Sequence, residues 1–201
     1  DLFYIIRKRG IFMQEAYPEG GAMTAVLGLE SDKIEEVCRQ TEGIVTIANY
    51  NCPGQIVITG EEQAVMAAAQ ACSEAGAKRC VPLKVSGPFH SALLKGAGEK
   101  LEKELIGIQL RKPAIPYISN VDALDVVEAA PVKTLLKNQV SNSVCWQQTI
   151  EKMIADGIDT FIEIGPGKSL SGFMKKINKD VKCMNIDKVA DLEKVLEELA
   201  C

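Results

Sequence analysis

Apolar and polar residues along this chain follow two periods, and the switches between them mark out its elements. From Asp1 to Ala16 the apolar residues Leu2, Phe3, Ile5, Ile6, Ile11, Phe12 and Met13 fall near helical spacing. From Ala22 the units shorten. An apolar run covers Ala22 to Leu29, a helical stretch follows the cap pair Ser31-Asp32 through Gln40, and a strand covers Ile44 to Asn49. Asn51-Cys52-Pro53-Gly54 reads as a turn into a strand from Gln55 to Thr59. An alanine-rich helix from Glu61 to Ala75 stops at Gly76, where glycine can take the left-handed conformation that closes a helix; Lys78 to Val85 reads as a last strand. The order strand, helix, strand, strand, helix, strand predicts a ferredoxin-like α+β unit, with two helices covering one face of a four-stranded sheet.

Beyond residue 90 the pattern changes. Leu94, Ala97, Leu101, Leu105 and Ile108 form one helical stripe, and Pro113 and Pro116 bracket the start of a short strand, Ile115 to Ser119. Asp122 to Ala130 reads as a loop; helices are expected at Val132 to Gln139 and at Thr149 to Ala155, the latter stopped by Gly157. Thr160 to Ile164 and Cys183 to Ile186 read as strands. A helix starts after Gly165-Pro166-Gly167-Lys168, and Leu192, Val195, Leu196 and Leu199 stripe another at the C-terminal end. Strands alternating with helices predict a parallel sheet covered on both faces. The expected class is therefore α/β, with the small α+β unit at 21–86 inserted into a larger α/β layer formed by 1–20 and 87–201.

Composition narrows what such a fold could do. The 201 residues, 47% hydrophobic and 25% charged, can bury one large core or two small ones. A net charge of -4, with basic and acidic residues interspersed, gives no footprint for nucleic acid or an anionic membrane, although a small anion could still meet a local arginine. No apolar run reaches the ~18 residues of a membrane span and no signal peptide is evident, so a cytoplasmic protein is expected. Seven cysteines without a Cys-x-x-Cys pair read as reduced thiols, with neither a zinc site nor a disulfide framework.

The only histidine, His90, stands in Ser86-Gly87-Pro88-Phe89-His90-Ser91, where a Gly-Pro loop could fix one ring orientation for acid and base work. A structural histidine is the ordinary alternative, because geometry defines a base. Gly165-Pro166-Gly167-Lys168-Ser169 fails the phosphate-loop spacing: the required earlier glycine is Ile162, and Pro166 has no N–H to offer. Cys52 or Cys80 could pair with His90 as a nucleophile, yet buried thiols are the commoner case. No serine stands in a Gly-x-Ser-x-Gly elbow. The cluster Arg7-Lys8-Arg9 is ordinarily a solvated helix face. An arginine there could also grip a carboxylate with two hydrogen bonds, and the pattern does not choose between Arg7 and Arg9.

Four stretches together resemble the malonyl-CoA:acyl carrier protein transacylases of fatty acid synthesis. They are Arg9-Gly10-Ile11-Phe12-Met13-Gln14, Asn49 through Gly60, Gly87-Pro88-Phe89-His90-Ser91 and Glu163-Ile164-Gly165-Pro166-Gly167-Lys168. The resemblance implies a hydrolase-like α/β subdomain carrying the ferredoxin-like insertion. It makes His90 the base that activates a serine, oriented by the main-chain carbonyl of Gln139, and Arg9 the group that binds the free carboxylate of malonyl. Phe89 would disfavour a branched acyl chain, and Asn120 and Asn51 would lie near the pocket. Malonyl-CoA and acyl carrier protein are the implied partners of a monomeric enzyme with no cofactor and no metal.

One departure from the family pattern matters. Members carry a Gly-Gln-Gly loop and a Gly-His-Ser-x-Gly elbow ahead of the segment that begins this chain, and neither occurs in these residues. Loss of a triad nucleophile costs on the order of a million-fold in turnover, so the 201 residues alone are expected to be inactive. The abrupt helical start, with no cap or initiator methionine, leads us to expect the C-terminal part of a longer enzyme; the end at Cys201, after a complete helix, is expected to be natural. The alternative from another class is a non-catalytic module whose ferredoxin-like unit binds a protein, and a third is hydrolysis through Cys52 or Cys80.

Overall fold

The structure is a computed structural model and describes residues 2–200; Asp1 and Cys201, the first and last residues of the sequence reading, lie outside the described residues. The chain folds as an α/β protein in two compact units, residues 1–149 and 150–201.

The first unit opens with helix α1 (Leu2–Ala16), followed by strand β1 (Gly21–Leu27), helix α2 (Ser31–Gln40), strands β2 (Val45–Cys52) and β3 (Gln55–Glu61), helix α3 (Glu62–Glu74) and strand β4 (Arg79–Pro82). The four strands form an antiparallel sheet in the order β2-β3-β1-β4. Period-two alternation gives this sheet two apolar faces. Val26, Ile47, Ile56 and Ile58 pack on one side against Ile34 and Cys38 of α2 and Val65, Ala68 and Cys72 of α3. Met23, Ala48 and Val57 gather on the other, with Ala25 and Phe89 packed against them. That second face carries the candidate site.

Local chemistry explains where these elements stop. Gly76 takes φ +104°, and Ala77 N–H reaches back to the Cys72 carbonyl at 2.9 Å, which closes α3. Strand β4 is shorter than the expected Lys78 to Val85, its later end broken because Pro82 has no N–H for the ladder; single bonds continue the pairing beyond each end, from Lys78 N–H to the Leu27 carbonyl at 2.8 Å and from Leu83 N–H to the Met23 carbonyl at 2.9 Å. Ser31 and Asp32 lie inside α2, after Glu30 at the cap position, whose side chain makes no capping bond.

A 3-10 turn (Ala92–Leu94) leads into α4 (Lys95–Leu105), then strands β5 (Tyr117–Ile118) and β6 (Asp125–Val126) and helix α5 (Val132–Gln139). Leu94, Ala97, Leu101 and Leu105 are buried with Met13 of α1 and Val140, as the stripe predicts. Strand β5 is a remnant of the run from Ile115 to Ser119, since Pro113 and Pro116 cannot donate to a ladder. The expected loop at 122–130 supplies its partner: Tyr117 faces Val126 and Ile118 faces Asp125.

Helix α6 (Trp146–Ala155) begins three residues before the expected Thr149 and contains the boundary between the units. The second unit continues with β7 (Thr160–Ile164), α7 (Ser169–Ile177), β8 (Lys182–Ile186) and α8 (Val189–Leu199). Its parallel sheet has two strands, β7 and β8. Ile164 remains 78% exposed, and of the α8 stripe only Val195 is buried. A unit this small has too little apolar surface to cover both faces of a parallel sheet.

Candidate active site

The turn that carries His90 is tightly specified. The Phe89 ring folds over Gly87, where an added Cβ would sit 2.8 Å from Phe89 Cζ; the same addition at Gly21 would land on the Pro88 ring. Ser91, fully buried, donates its hydroxyl proton to the Pro88 carbonyl at 2.7 Å. These contacts hold His90 at φ +62°, a left-handed conformation that costs a non-glycine residue about 1–2 kcal/mol.

The imidazole is oriented from one side. Nδ1 lies 3.0 Å from the Gln139 carbonyl oxygen and 3.1 Å from that of Asn142. Both partners are acceptors only, so Nδ1 carries the hydrogen and Nε2 keeps a free lone pair. Burial pushes the His90 pKa below its ordinary 6.5; the Gln139 carbonyl opposes this, the Arg9 charge adds to it, and the Asn142 carbonyl opposes it again. The ring is therefore neutral at pH 7 with Nε2 free to accept a proton.

Of the two arginines that the sequence left open, Arg9 is the less exposed. It lies four residues from both Ile5 and Met13, on the helix face that packs inward, whereas Arg7 is exposed. Arg9 Nε is buried without a hydrogen-bond partner, and burial lowers its pKa. A buried guanidinium N–H with no acceptor costs about 1–3 kcal/mol, a cost that an incoming anion removes. Arg9 shares a cleft of about 340 Å³ with Met13, Met23, Asn49, Phe89 and His90. His90 also borders a second cleft of about 460 Å³, with Tyr50, Val121, Asn142, Ser143 and Cys145 among its walls. A base with a free nitrogen between an anion-seeking arginine and a second opening can serve a two-part substrate.

The other expected residues fall on both sides of this arrangement. Gln139 supplies its carbonyl to His90 and donates its side-chain Nε2 hydrogen to Asn120 Oδ1 at 2.7 Å. Asn120 therefore stands behind Gln139 and outside both linings. Asn51 is likewise absent from both linings, and Asn49 occupies the cleft. Two irregularities explain the exchange: Ile47 pairs with Ile58 and Asn49 with Val57, so the extra residue at Ala48 turns Asn49 to the cleft face, and Tyr50 pairs with Ile56 and Cys52 with Gln55, so Asn51 has no partner in the ladder. Asn142, the second acceptor on His90, has no counterpart among the expected residues, because a main-chain contact leaves no signature in side-chain identity.

The competing chemistries lose ground on geometry. Cys52 is fully buried, Cys80 donates its thiol hydrogen to the Ala69 carbonyl at 3.2 Å, and neither lines a cleft with His90. Cys145 does, but its thiol is directed at the Val121 carbonyl, and burial and then Asp122 push its pKa up. At the Gly165-to-Lys168 turn, Gly167 N–H already donates to the Asp187 carboxylate at 3.2 Å, which would repel a phosphate. Glu163 accepts from Leu170 N–H, Ser171 N–H and Ser171 Oγ–H at the start of α7, so this stretch serves helix packing. Among the described residues no cluster of three His, Cys, Asp or Glu could hold a metal.

Residues 2–192 match the family described as acyl transferase domain. The chain is 45% identical over 203 residues to the malonyl CoA-acyl carrier protein transacylase of Bacillus subtilis (strain 168), covering 99% of this chain and 64% of that protein. It superposes on the crystal structure of malonyl CoA-acyl carrier protein transacylase from Clostridium perfringens with a TM-score of 0.93 and 46% identity, over 98% of this chain and 63% of that one. A structure of a type II PKS acyl-carrier protein in complex with its malonyl-transacylase matches at TM-score 0.94 and 40% identity, over 97% of this chain and 64% of that chain. The chain thus spans a little under two thirds of the length of these relatives.

Proposed function

This chain belongs to the acyl transferase domain family, and on that footing we propose that the whole protein moves the malonyl group from malonyl-CoA to the phosphopantetheine thiol of acyl carrier protein, in fatty acid biosynthesis, through a malonyl-serine intermediate. The unpartnered Nε of Arg9, in the cleft that His90 borders, carries this reading. Arg9 grips the free carboxylate of the malonyl group, and Phe89 and Met23 wall the acyl chain. His90 Nε2 takes the proton of the serine hydroxyl as its oxygen attacks the thioester carbonyl, then returns that proton to the departing coenzyme A thiolate. In the second half-reaction Nε2 takes the carrier thiol proton, the sulfur attacks the ester carbonyl, and the proton passes to the serine oxygen. The Gln139 and Asn142 carbonyls stabilise the imidazolium through Nδ1–H in both halves, the task an aspartate performs in serine proteases. The second cleft suits the thiol-bearing arm.

At the level of architecture, residues 21–86 form a ferredoxin-like subdomain inserted in a hydrolase-like α/β subdomain built from 1–20 and 87–201. The strand order β2-β3-β1-β4 and the two helices on one face support this. The six free thiols among the described residues fit a reducing cytoplasm, where the enzyme would act as a monomer. A non-catalytic module would leave both the unpaired Arg9 and the free Nε2 unexplained.

The test is transfer of labelled malonyl and acetyl groups from coenzyme A to holo acyl carrier protein by the whole protein and its Arg9→Ala variant. Malonyl transfer should fall about a hundredfold, the value of charge-assisted hydrogen bonds to a carboxylate, while acetyl transfer falls far less. Equal losses for the two acyl groups would sink the assignment.

A further inference from the structure

The Gln139 carbonyl belongs to the last residue of α5 and has no intrahelical donor, like all carbonyls in a final helical turn. The turn that follows it is closed on α5 by the Asn138 carbonyl, which accepts Ser141 N–H at 3.1 Å and Asn142 N–H at 3.0 Å, and needs further anchors to face a ring nitrogen. The segment 139–145 is tied down on one side by β2: Val144 N–H donates to the Ala48 carbonyl at 2.7 Å, Tyr50 N–H to the Val144 carbonyl at 2.9 Å and Ser143 Oγ–H to the Ile47 carbonyl at 2.6 Å. The other side is held by the turn at 119–124, where the Val121 carbonyl accepts the Cys145 thiol at 3.5 Å and Asn120 makes two contacts. Asn120 accepts Gln139 Nε2–H on Oδ1 at 2.7 Å and Cys145 N–H on its main-chain oxygen at 2.7 Å. Both carbonyls that meet His90 Nδ1 lie between these two anchor points.

We infer that Asn120 is a positioning residue for His90: its two oxygens clamp both ends of the 139–145 segment, so that the Gln139 and Asn142 carbonyls hold the imidazole in the Nδ1–H form. The inference rests on the reading of His90 as the acyl-transfer base. The clamp is presented by a rigid turn. Ser119 is buried and its Oγ accepts Val121 N–H at 3.2 Å, Asp122 Oδ1 accepts Leu124 N–H at 3.1 Å, and Ala123, at φ +55°, donates N–H to the Ser119 carbonyl at 2.8 Å. An amide side chain fits the position because it accepts from Gln139 without placing a full charge behind the ring. Asn120 lines neither cleft, so it acts through Gln139 and does not touch substrate.

Because His90 is the only histidine, imidazole nitrogen-15 NMR of the 201-residue chain reads its tautomer and titration directly. At pH values above its titration the unsubstituted chain should show Nδ1 protonated and Nε2 bare. In Asn120→Ala the ratio of the two tautomers should fall about tenfold, the equivalent of about 1.4 kcal/mol. Gln139→Met, which keeps the main-chain carbonyl but removes the side-chain donor, should lower it similarly. Asn120→Asp keeps the acceptor, so it should restore the tautomer while raising the His90 pKa. An unchanged ratio in folded Asn120→Ala or Gln139→Met overturns the inference, as does failure of Asn120→Asp to restore it. Loss of the dispersed spectrum in Asn120→Ala would overturn it too, since Asn120 would then hold the fold and not the ring. These readouts need no turnover, so a failed clamp and a failed transfer assay remain distinguishable.

Discussion

At the scale of single residues, His90 and Phe89 carry consequences beyond the proposed reaction. Burial holds the His90 pKa below 6.5, with Arg9 reinforcing it, so the folded state binds fewer protons than the unfolded chain near pH 6. Its contribution to stability is therefore complete above about pH 6.5 and is lost as pH falls through the lowered folded value. Urea unfolding at stepped pH should show the unsubstituted chain losing stability against His90→Gln between about pH 7 and pH 5. A difference that stays flat across that window would mean the ring is not held in its neutral form. Phe89 packs against two buried clusters and walls the Arg9 cleft. Phe89→Ala should cost about 2 kcal/mol, less than a fully buried phenylalanine, and should raise transfer of a branched methylmalonyl group relative to malonyl in the whole protein. An unchanged ratio of the two rates would remove Phe89 from the specificity argument. The motif around His90 was legible because side-chain identity builds that turn, down to the glycine under the Phe89 ring. Asn142 was not legible, because it acts through a carbonyl that every residue possesses.

At the scale of elements, α4 and α5 show how a distant contact sets the site. Gly98 lies buried in α4, and a Cβ there would come within 2.8 Å of the Lys137 carbonyl on α5. Glycine to alanine inside a helix ordinarily gains about 1 kcal/mol, but backbone cannot yield as a flexible side chain can. Gly98→Ala should therefore be destabilising by about 1–3 kcal/mol in urea titration. It should also move the His90 imidazole resonances, since α5 ends on the Gln139 carbonyl. A stabilised chain with unmoved resonances would show that the helices slide apart without disturbing the ring. Helices with a full apolar stripe, such as α4, were legible in the sequence, as was α5 between Pro131 and the loop after Gln139. The β2 bulge was not. A regular period of two assigns Asn49 and Asn51 to one face, and only the pairing with β3 shows that a second irregularity, between Tyr50 and Cys52, leaves Asn51 unpaired and separates them.

At the scale of the whole molecule, every candidate site residue lies in the first unit, whereas the Gly-Pro-Gly stretch that resembles the same family lies in the second. On the proposed reading, recognition of the acyl group and attack by a nucleophile can be tested separately in this chain. Arg9 and the Nδ1-tethered His90 are present, while no serine in these residues stands in an elbow. The 201-residue chain should consequently bind without reacting. Incubated with radiolabelled malonyl-CoA, it should yield no acid-stable malonyl ester, yet malonyl-CoA should shift the His90 resonances at concentrations where acetyl-CoA does not. The difference is expected on the proposed role of Arg9, because only malonyl would bring a carboxylate to its unpartnered Nε, and a buried charge left unpaired would penalise the acetyl complex by a few kcal/mol. Arg9→Ala should erase that discrimination and leave the residual, carboxylate-independent affinity of the two thioesters alike. Equal shifts by both ligands in the unsubstituted chain would relocate malonyl recognition to residues outside this cleft.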